Sequence, residues 1–431
     1  MREHGHRHGA ESMLSVEDAR ERILGFFDVL PPESEPILGA QGQVLAEDVF
    51  GAFDIPPLDN SAMDGFAVQS DSVKGASAES PVVLAIVGTV AAGEMPSTDV
   101  APGTAVRIMT GAPVPNWADS VVPFEDTDET ERKRSGAGRS EAGIRTEVVP
   151  GENIRLAGND VRRGERVLEK GAVLRPAEIG VLASLGYGSV RVVRRPVVAI
   201  LATGDELVEP GTEAPPGKIY DSNSYTIVSA VRSSGGRPLG LGIAGDDLKS
   251  LEDKLEQAAD VDMLITTAGV SKGDYDMVKD VLASRGKVEF WSVRMRPAKP
   301  LAFGIIRVGG GRTVPHLGLP GNPVSALVAF EQFGRPAILK MLGRGDWSRP
   351  TVEAVLEDPI YNPDGRRVYA RVIVTKRDGG YVARLTGDQS SNLLTSMARA
   401  NGLAICPEDQ QIKEAGETVI VEMLDWPEDV F

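Results

Sequence analysis

One cysteine, Cys406, stands in 431 residues, and that scarcity removes several chemistries at once. No intrachain disulfide and no paired-cysteine metal site is possible, and a cytoplasmic setting fits. In the apolar run Leu403-Ala404-Ile405-Cys406 the thiol reads as a small core residue rather than a nucleophile. Histidine is almost as scarce: three of the four (His4, His6 and His8) lie in the opening residues, leaving His316 alone in the rest. A Ser-His-Asp arrangement is therefore not expected, and His316 reads as structural. Residues 1–14 are expected to be a disordered tail rather than a signal peptide, because no apolar region follows the histidines. No run approaches the roughly 18 apolar residues of a membrane helix. Basic residues are outnumbered, 46 against 62 acidic, for a net charge of −16. That balance argues against nucleic acid or an anionic membrane as partner. Any anionic ligand would need locally gathered cations and backbone amides. No Walker loop is present to supply them.

What is present is a soluble globular composition, 42% hydrophobic and 25% charged, long enough for two to four domains. Apolar residues at helical spacing predict a helix within 15–30 capped by Ser15, and a second short amphipathic stretch covers 36–50. Strands are predicted at 82–90, 105–109 and 121–124, a compact all-β region. Residues 129–143, charged and without apolar period, read as a mobile tip or loop. A helix at 176–185 and a strand at 189–193 follow. Between 195 and 343 strands at 197–202, 238–243, 263–267 and 288–293 alternate with helices at 222–233, 248–259 and 277–284. That alternation means an α/β layer with a largely parallel sheet, whose ligands sit beyond the carboxyl ends of the strands. From 351 onward short strands (352–356, 367–374, 381–385, 403–405 and 418–421) suggest a small β-barrel or sandwich.

Gly240-Leu241-Gly242-Ile243-Ala244-Gly245 matches the dinucleotide fingerprint but is rejected as one. Its glycines fall inside the apolar run, and Asp246 and Asp247 would face a pyrophosphate with like charge. More telling is Leu317-Gly318-Leu319-Pro320-Gly321-Asn322-Pro323-Val324-Ser325-Ala326, between an apolar strand and an apolar helix. Asn322 can cap that helix, Pro323 suits its first turn, and the glycines let backbone approach a ligand. The loop reads either as an anion-binding helix start or as a plain tight turn. Acidic residues gather on loops after strands: Asp205 and Glu206, Asp246 and Asp247, Asp274 and Asp276. Helix capping accounts for any one of them. Three converging loops are better served by a hard divalent ion such as Mg²⁺ bridging to phosphate oxygens. The cations Lys279, Arg296 and Lys299 interleave with these acids. Arg294-Met295-Arg296-Pro297-Ala298-Lys299-Pro300 is either a solvated edge or a phosphate clamp.

These residues carry a resemblance. The segments 59–67 (Asp59-Asn60-Ser61-Ala62-Met63-Asp64-Gly65-Phe66-Ala67), 107–115, Thr203-Gly204-Asp205-Glu206-Leu207 and 318–326 resemble the molybdopterin molybdenumtransferase family, which includes the C-terminal domain of gephyrin. The similarity runs from about residue 15 to 421. It implies an enzyme that receives adenylylated molybdopterin, inserts molybdate into the dithiolene and releases AMP with the aid of Mg²⁺. Molybdenum would be held by pterin sulfurs, so no protein thiolate is required. The implied molecule is a multidomain α/β and β homodimer. Its parts would be a helical linker domain (15–55 plus 151–195), an inserted β domain (56–150), an α/β molybdopterin-binding domain (196–345) and a C-terminal β-barrel-like domain (350–431). The family's cleft lies between the inserted domain of one subunit and the last two domains of the other.

By motif, Asp64 and Thr110 would sit on the inserted-domain side with Asp160 near them. Glu206, Asp246 and Asp276 would be the metal and substrate carboxylates. Lys279, Arg296 and Lys299 would hold phosphate or molybdate oxygens, as would the loop of Gly318, Pro320, Gly321, Asn322, Pro323 and Ser325. Arg371 and Ser391 would reach in from the last domain, where Gly387-Asp388-Gln389-Ser390-Ser391 resembles the family's loop. An upstream adenylyltransferase is an implied partner. Three departures stand out: Ala268 replaces a frequent glycine, Arg296 a frequent lysine, and the 129–143 tip is longer and more charged. Rival readings are a tungstate-specific paralogue, an adenylyltransferase acting one step earlier, and a non-catalytic pterin-binding scaffold.

Overall fold

A computed structural model describes residues 13–96, 101–136, 140–245, 248–268 and 285–426. The chain divides into two compact units. One comprises Met1–Ala46, Val173–Arg175 and Ser189–Phe431, and the other Glu47–Ala172 with Pro176–Gly188.

The second unit is built on a five-stranded sheet in the order Ser120–Pro123, Gly65–Val68, Thr104–Ile108, Val82–Val90, Glu141–Ile144. Phe66, Leu84, Val122 and Ile144 fill one side, and Val90, Val106, Ile108 and Val121 the other. Gly65 is needed for the close strand approach, because a Cβ there would lie 2.0 Å from the Val122 carbonyl oxygen. The charged tip is not a loop throughout: Glu129–Ser135 is a helix, ended by Gly136 at φ 69°. Its acidic residues fall in the first turn and Arg132, Lys133 and Arg134 in the last, which suits the helix dipole. Glu129 also pairs with Arg107, and Arg132 with Asp128 at 2.7 Å, so charge rather than apolar period holds this helix.

In the first unit Ser15 caps the helix Val16–Leu24, its Oγ accepting the Asp18 N–H at 3.0 Å. Residues 36–50 do not extend as a second helix. Pro32–Pro36 pairs antiparallel with Ser189–Val193, and turns follow in which Gly42 takes φ 79°. Proline and glycine within 36–42 override the amphipathic spacing.

The α/β sheet has the order Arg237–Ala244, Val197–Thr203, Met263–Thr267, Thr313–Leu319, Pro300–Arg307, Gly286–Ser292. The first four strands run parallel and the last two join antiparallel. The glycines at 240 and 242 do lie inside a strand, at a register shift against Ile200 and Leu201, with Gly242 at φ 76°. Both faces are covered. Val16–Leu24, Asn223–Ser233 and the helical run 323–341 share one apolar cluster, and Leu251 and Leu255 of Leu248–Glu256 sit in the cluster opposite. The run 323–341 widens into a π turn over Phe330–Gly334, just before Pro336, whose missing N–H breaks the regular ladder.

The C-terminal strands close on themselves. Arg367–Arg377 pairs with Gly380–Leu385 and Gly402–Cys406, while Thr418–Met423 joins Gly402–Cys406 to Thr351–Leu356, which meets Gly380–Leu385. Closure leaves no free edge in this barrel. Cys406 is wholly buried in its core, and burial pushes the thiol up.

His316 is wholly buried in the α/β sheet, with Nε2 3.0 Å from Thr266 Oγ1. Burial drives its pKa from 6.5 down to about 3. The unfolded chain therefore takes up this proton first, so stability is full above the unfolded value and is lost as pH falls toward the folded one. Lowering the pH to 5 is expected to cost about 2 kcal/mol through this group. Denaturant titrations at pH 7 and pH 5 should show that loss in the native chain and not in His316→Gln.

Candidate functional site

The four parallel strands of the first unit end in the loops that carry the sequence motifs. Val197–Thr203, buried along all but its first residue, leads into Gly204, which takes φ 143°. A Cβ at 204 would stand 2.5 Å from Glu206 Oε2, so glycine lets the exposed Glu206 carboxylate fold back over the backbone. The loop is pinned by Leu207 N–H to the Gly204 carbonyl (3.2 Å), Ile219 N–H to the Glu206 carbonyl (2.8 Å), and Lys218 Nζ to the Asp205 carbonyl. Met263–Thr267 ends in Ala268, whose N–H donates to the Leu319 carbonyl at 3.0 Å. Ala268 takes φ 81°, a left-handed conformation that glycine adopts at least cost.

Asn322 has the extended backbone of a helix cap, yet its side chain accepts no helix N–H. Instead Nδ2 donates to Ser391 Oγ at 3.1 Å, and the Ser391 carbonyl accepts the Val324 N–H at 3.1 Å. The helix start is thus tied to the barrel domain, which takes part of the donor capacity that the sequence suggests for an anion. Gly318, Pro320 and Ser325 are buried, while Gly321 and Asn322 are exposed.

Sequence reasoning passed over Asn223, whose Nδ2 donates to the Gly321 carbonyl at 2.7 Å. Asp221 is 2% exposed, and its Oδ1 accepts the Ser224 N–H at 3.0 Å. Asp221 Oδ2, Asn223 Oδ1, Ser224 Oγ and Thr267 Oγ1 are buried without a hydrogen-bond partner among the described residues. Buried polar atoms left open in this way call for a ligand or water. The run Asp221-Ser222-Asn223-Ser224 reads in sequence only as a helix start, so a capping signal hid this group.

The basic segment is a tight, strained turn. Val293 N–H donates to the Lys299 carbonyl at 2.8 Å, Arg296-Pro297 is cis, and buried Ala298 takes φ 71°. Met295–Arg296 pairs parallel with Arg367 and Val368, which brings the turn onto the barrel. Arg296 and Lys299 are both exposed. Arg371 does not reach outward. It is 1% exposed, with Nε on Ser396 Oγ (3.1 Å) and Nη2 on the Ser390 carbonyl (3.1 Å). Burial first, then the nearby Arg296 charge, brings its pKa down to about 10, opposed by Asp388. Arg371 therefore orders the 387–391 loop and leaves Ser391 to meet Asn322.

In the second unit Asp64 Oδ1 accepts both the N–H (2.7 Å) and the Oγ1–H (2.8 Å) of Thr110. The backbone N–H of Thr110 is the main cause holding this carboxyl below its usual range. Asp160 is exposed, its N–H donating to the Ile55 carbonyl at 2.9 Å. Asp246, Asp276 and Lys279 lie outside the described residues, as do Asp247 and Asp274. Among the described residues no three acidic or histidine side chains gather as a metal cage. The described donor at the candidate centre is the Glu206 carboxylate, a hard oxygen ligand of the kind Mg²⁺ prefers.

Three family descriptions match in order along the chain: "MoeA N-terminal region (domain I and II)" over residues 14–186, "Probable molybdopterin binding domain" over 199–340 and "MoeA C-terminal region (domain IV)" over 353–424. Molybdopterin molybdenumtransferase 2 of Mycobacterium tuberculosis is 40% identical over 92% of this chain and 96% of that protein. The chain belongs to the molybdopterin molybdenumtransferase family. A second member, from Nostoc, is 36% identical over 97% of this chain and 95% of its own length. The crystal structure of the molybdopterin biosynthesis moea protein from Pyrococcus horikosii superposes with a TM-score of 0.77 at 31% identity, covering 96% of this chain and 100% of that one.

Ala268 holds a backbone conformation that costs a residue with a Cβ about 1 kcal/mol. Ala268→Gly is therefore expected to raise the unfolding free energy by about 1 kcal/mol, read as a higher denaturant midpoint at unchanged m. A lower midpoint would show that the methyl group packs usefully against the neighbouring Gly321 turn.

Proposed function

We propose that this protein inserts molybdate into adenylylated molybdopterin with release of AMP. Relatives named molybdopterin molybdenumtransferase, similar over nearly their whole length, support the reading. The observation that carries it is a continuous rim at the carboxyl edge of the α/β sheet. Thr203 Oγ1 meets the Thr267 carbonyl at 3.5 Å, Ala268 meets Leu319, Asn223 meets Gly321, and Asn322 meets Ser391 of the barrel. One part of this rim carries Glu206, and the basic turn with Arg296 and Lys299 joins the barrel side through Arg367 and Val368.

In this reading Arg296 and Lys299 bind the phosphate or molybdate oxygens, the arginine through paired N–H donors and the lysine as a point charge. They neutralise charge on the departing AMP as water cleaves the phosphoanhydride. Lys279 would join Arg296 and Lys299 in holding oxygens, and Glu206, with Asp246 and Asp276, would form the acidic and metal-binding side. A Mg²⁺ ion held there would draw charge from the phosphoanhydride oxygens. The open oxygens of Asp221, Asn223, Ser224 and Thr267 would orient the substrate's polar groups. Asp64 and Thr110, locked together, would present one fixed carboxylate from the inserted domain. The protein would act as a cytoplasmic homodimer, supplied by an adenylyltransferase that makes its substrate.

Incubation with adenylylated molybdopterin, Mg²⁺ and molybdate should release AMP, and Glu206→Gln should slow that release by about 100-fold. AMP release no faster than in the Glu206→Gln control would defeat the assignment. Light scattering should give twice the 45.8 kDa of one chain. A single-chain mass at working concentration would remove the dimer from the proposal.

A further inference from the structure

Away from the rim, a cavity of about 1010 Å³ opens between the helix Asn223–Ser233, the helical run 323–341 and the barrel domain. It shares no lining residue with the 204–206, 268, 296–299, 320–322 or 387–391 loops. Five arginines line it: Arg195, Arg232, Arg335, Arg344 and Arg349. The acidic groups on its wall are Glu331 and Asp425. Glu331 is already held by Arg349, Nε to Oε2 at 3.0 Å and Nη2 to Oε1 at 3.1 Å.

The other four arginines make no ion pair among the described residues. Three of them are fixed by backbone carbonyls instead. Arg195 donates to Gln41 (2.7 Å) and Gly235 (3.2 Å), Arg335 to Trp347 (2.7 Å) and Arg344 to Gly42 (3.0 Å). Carbonyl acceptors orient a guanidinium without cancelling its charge. Arg344 Nε is moreover buried with no partner among the described residues. Burial holds the Arg195, Arg335 and Arg344 guanidiniums below the usual arginine range; neighbouring arginine charge adds to this at Arg195 and Arg335, opposed by Glu33 and Glu35 at the first and by Glu331 and Asp346 at the second. Such a concentration of positive charge without direct ion pairs is costly in any fold, and more conspicuous in a chain of net charge −16. The remaining wall is apolar, with Leu327, Leu339, Met397 and Leu424, and the Tyr225 ring also lines the cavity.

We propose that this arginine-lined cavity is a second binding site, taking a polyphosphate-bearing ligand of nucleotide size. The guanidiniums engage the phosphates as paired donors, and the apolar wall with Tyr225 receives the base. The cavity is large enough for such a ligand, and three fixed arginines with Arg232 beside them match a group carrying several negative charges.

The test is calorimetric titration of the full chain with inorganic pyrophosphate, ATP and adenosine. Pyrophosphate and ATP should bind and adenosine should not, with affinity falling steeply as salt rises. Arg344→Gln should weaken binding by about tenfold or more. Ser233→Glu, at an exposed helix position on the cavity wall, should do the same without touching a packed side chain. Both variants should keep the AMP-releasing activity, and Lys299→Ala should keep polyphosphate binding. ATP binding tighter than pyrophosphate supports a role for the apolar wall, and equal affinities would remove the base from the proposal. The proposal is overturned by absence of heat at millimolar pyrophosphate and ATP. It is equally overturned if binding survives both cavity variants but is lost in Lys299→Ala, which would place the polyphosphate at the rim. Because the readout is binding rather than turnover, failure here leaves the molybdate-insertion reading intact.

Discussion

Burial of the parallel sheet on both faces is the constraint from which the candidate site follows. Val198, Ile200, Met263, Ile265, Leu317 and Leu319 face one cluster, and Ala199, Leu201 and Leu264 face the other. With helices closing both faces, water and ligand reach the strands only at their ends. At the carboxyl end the chain must turn, and the turns carry Glu206, Ala268 and Gly321. Parallel order thus gathers residues distant in sequence, and the antiparallel pair 286–292 and 300–307 adds the basic turn between its strands.

Two alanines in left-handed conformations, Ala268 and Ala298, occupy this region. Such conformations persist where the surroundings over-determine them. At Ala268 the hydrogen bond to Leu319 and the adjoining Gly321 turn do so. At Ala298 the Val293–Lys299 hydrogen bond and the pairing of Met295–Arg296 with Arg367 and Val368 do so. The consequence is that Arg296 and Lys299 project from a rigid base. Less entropy is lost when they bind an anion than would be lost by cations on a loose loop.

Much of this was legible in the sequence. Continuous apolar runs named the buried strands, and Met263–Thr267 and Ser189–Val193 fall where the residues predicted them. Glycines inside the run 238–243 correctly spoke against a dinucleotide turn. Where reading failed, the deciding force was invisible to apolar period. Glu129–Ser135 is helical through ion pairs to Arg107 and Arg145, and residues 36–50 obey proline and glycine rather than spacing. Arg371 shows the limit for site residues: the resemblance has it reach in from the last domain, and it lies in the strand Arg367–Arg377 beside the 387–391 loop. Only its burial against Ser396 and the 390 carbonyl reveals that it holds the loop rather than the ligand. Asn223 was missed because a residue at a helix start gives no sign of which carbonyl across the sheet it will meet.

The charge balance completes the logic. A chain with sixteen excess negative charges repels anions at long range, so an anion can be held only where cations are kept from neutralisation by the protein's own carboxylates. Elsewhere this chain pairs its arginines freely, as Arg194 does with Asp262 at 2.6 Å and Arg285 with Glu256 at 2.8 Å. Among the described residues Arg296, Lys299 and four of the five arginines of the cavity make no such pair, Arg349 with Glu331 being the exception. Arg296 lies near Arg371 as well as Asp364, Arg371 is itself spent on carbonyls and a serine, and Arg195 and Arg344 are likewise bound to carbonyls. Neutral acceptors therefore do two things at once: they fix the geometry of a guanidinium and leave its field for a ligand. Selective withholding of carboxylates, rather than abundance of base, is how an acidic protein builds a place for phosphate or molybdate.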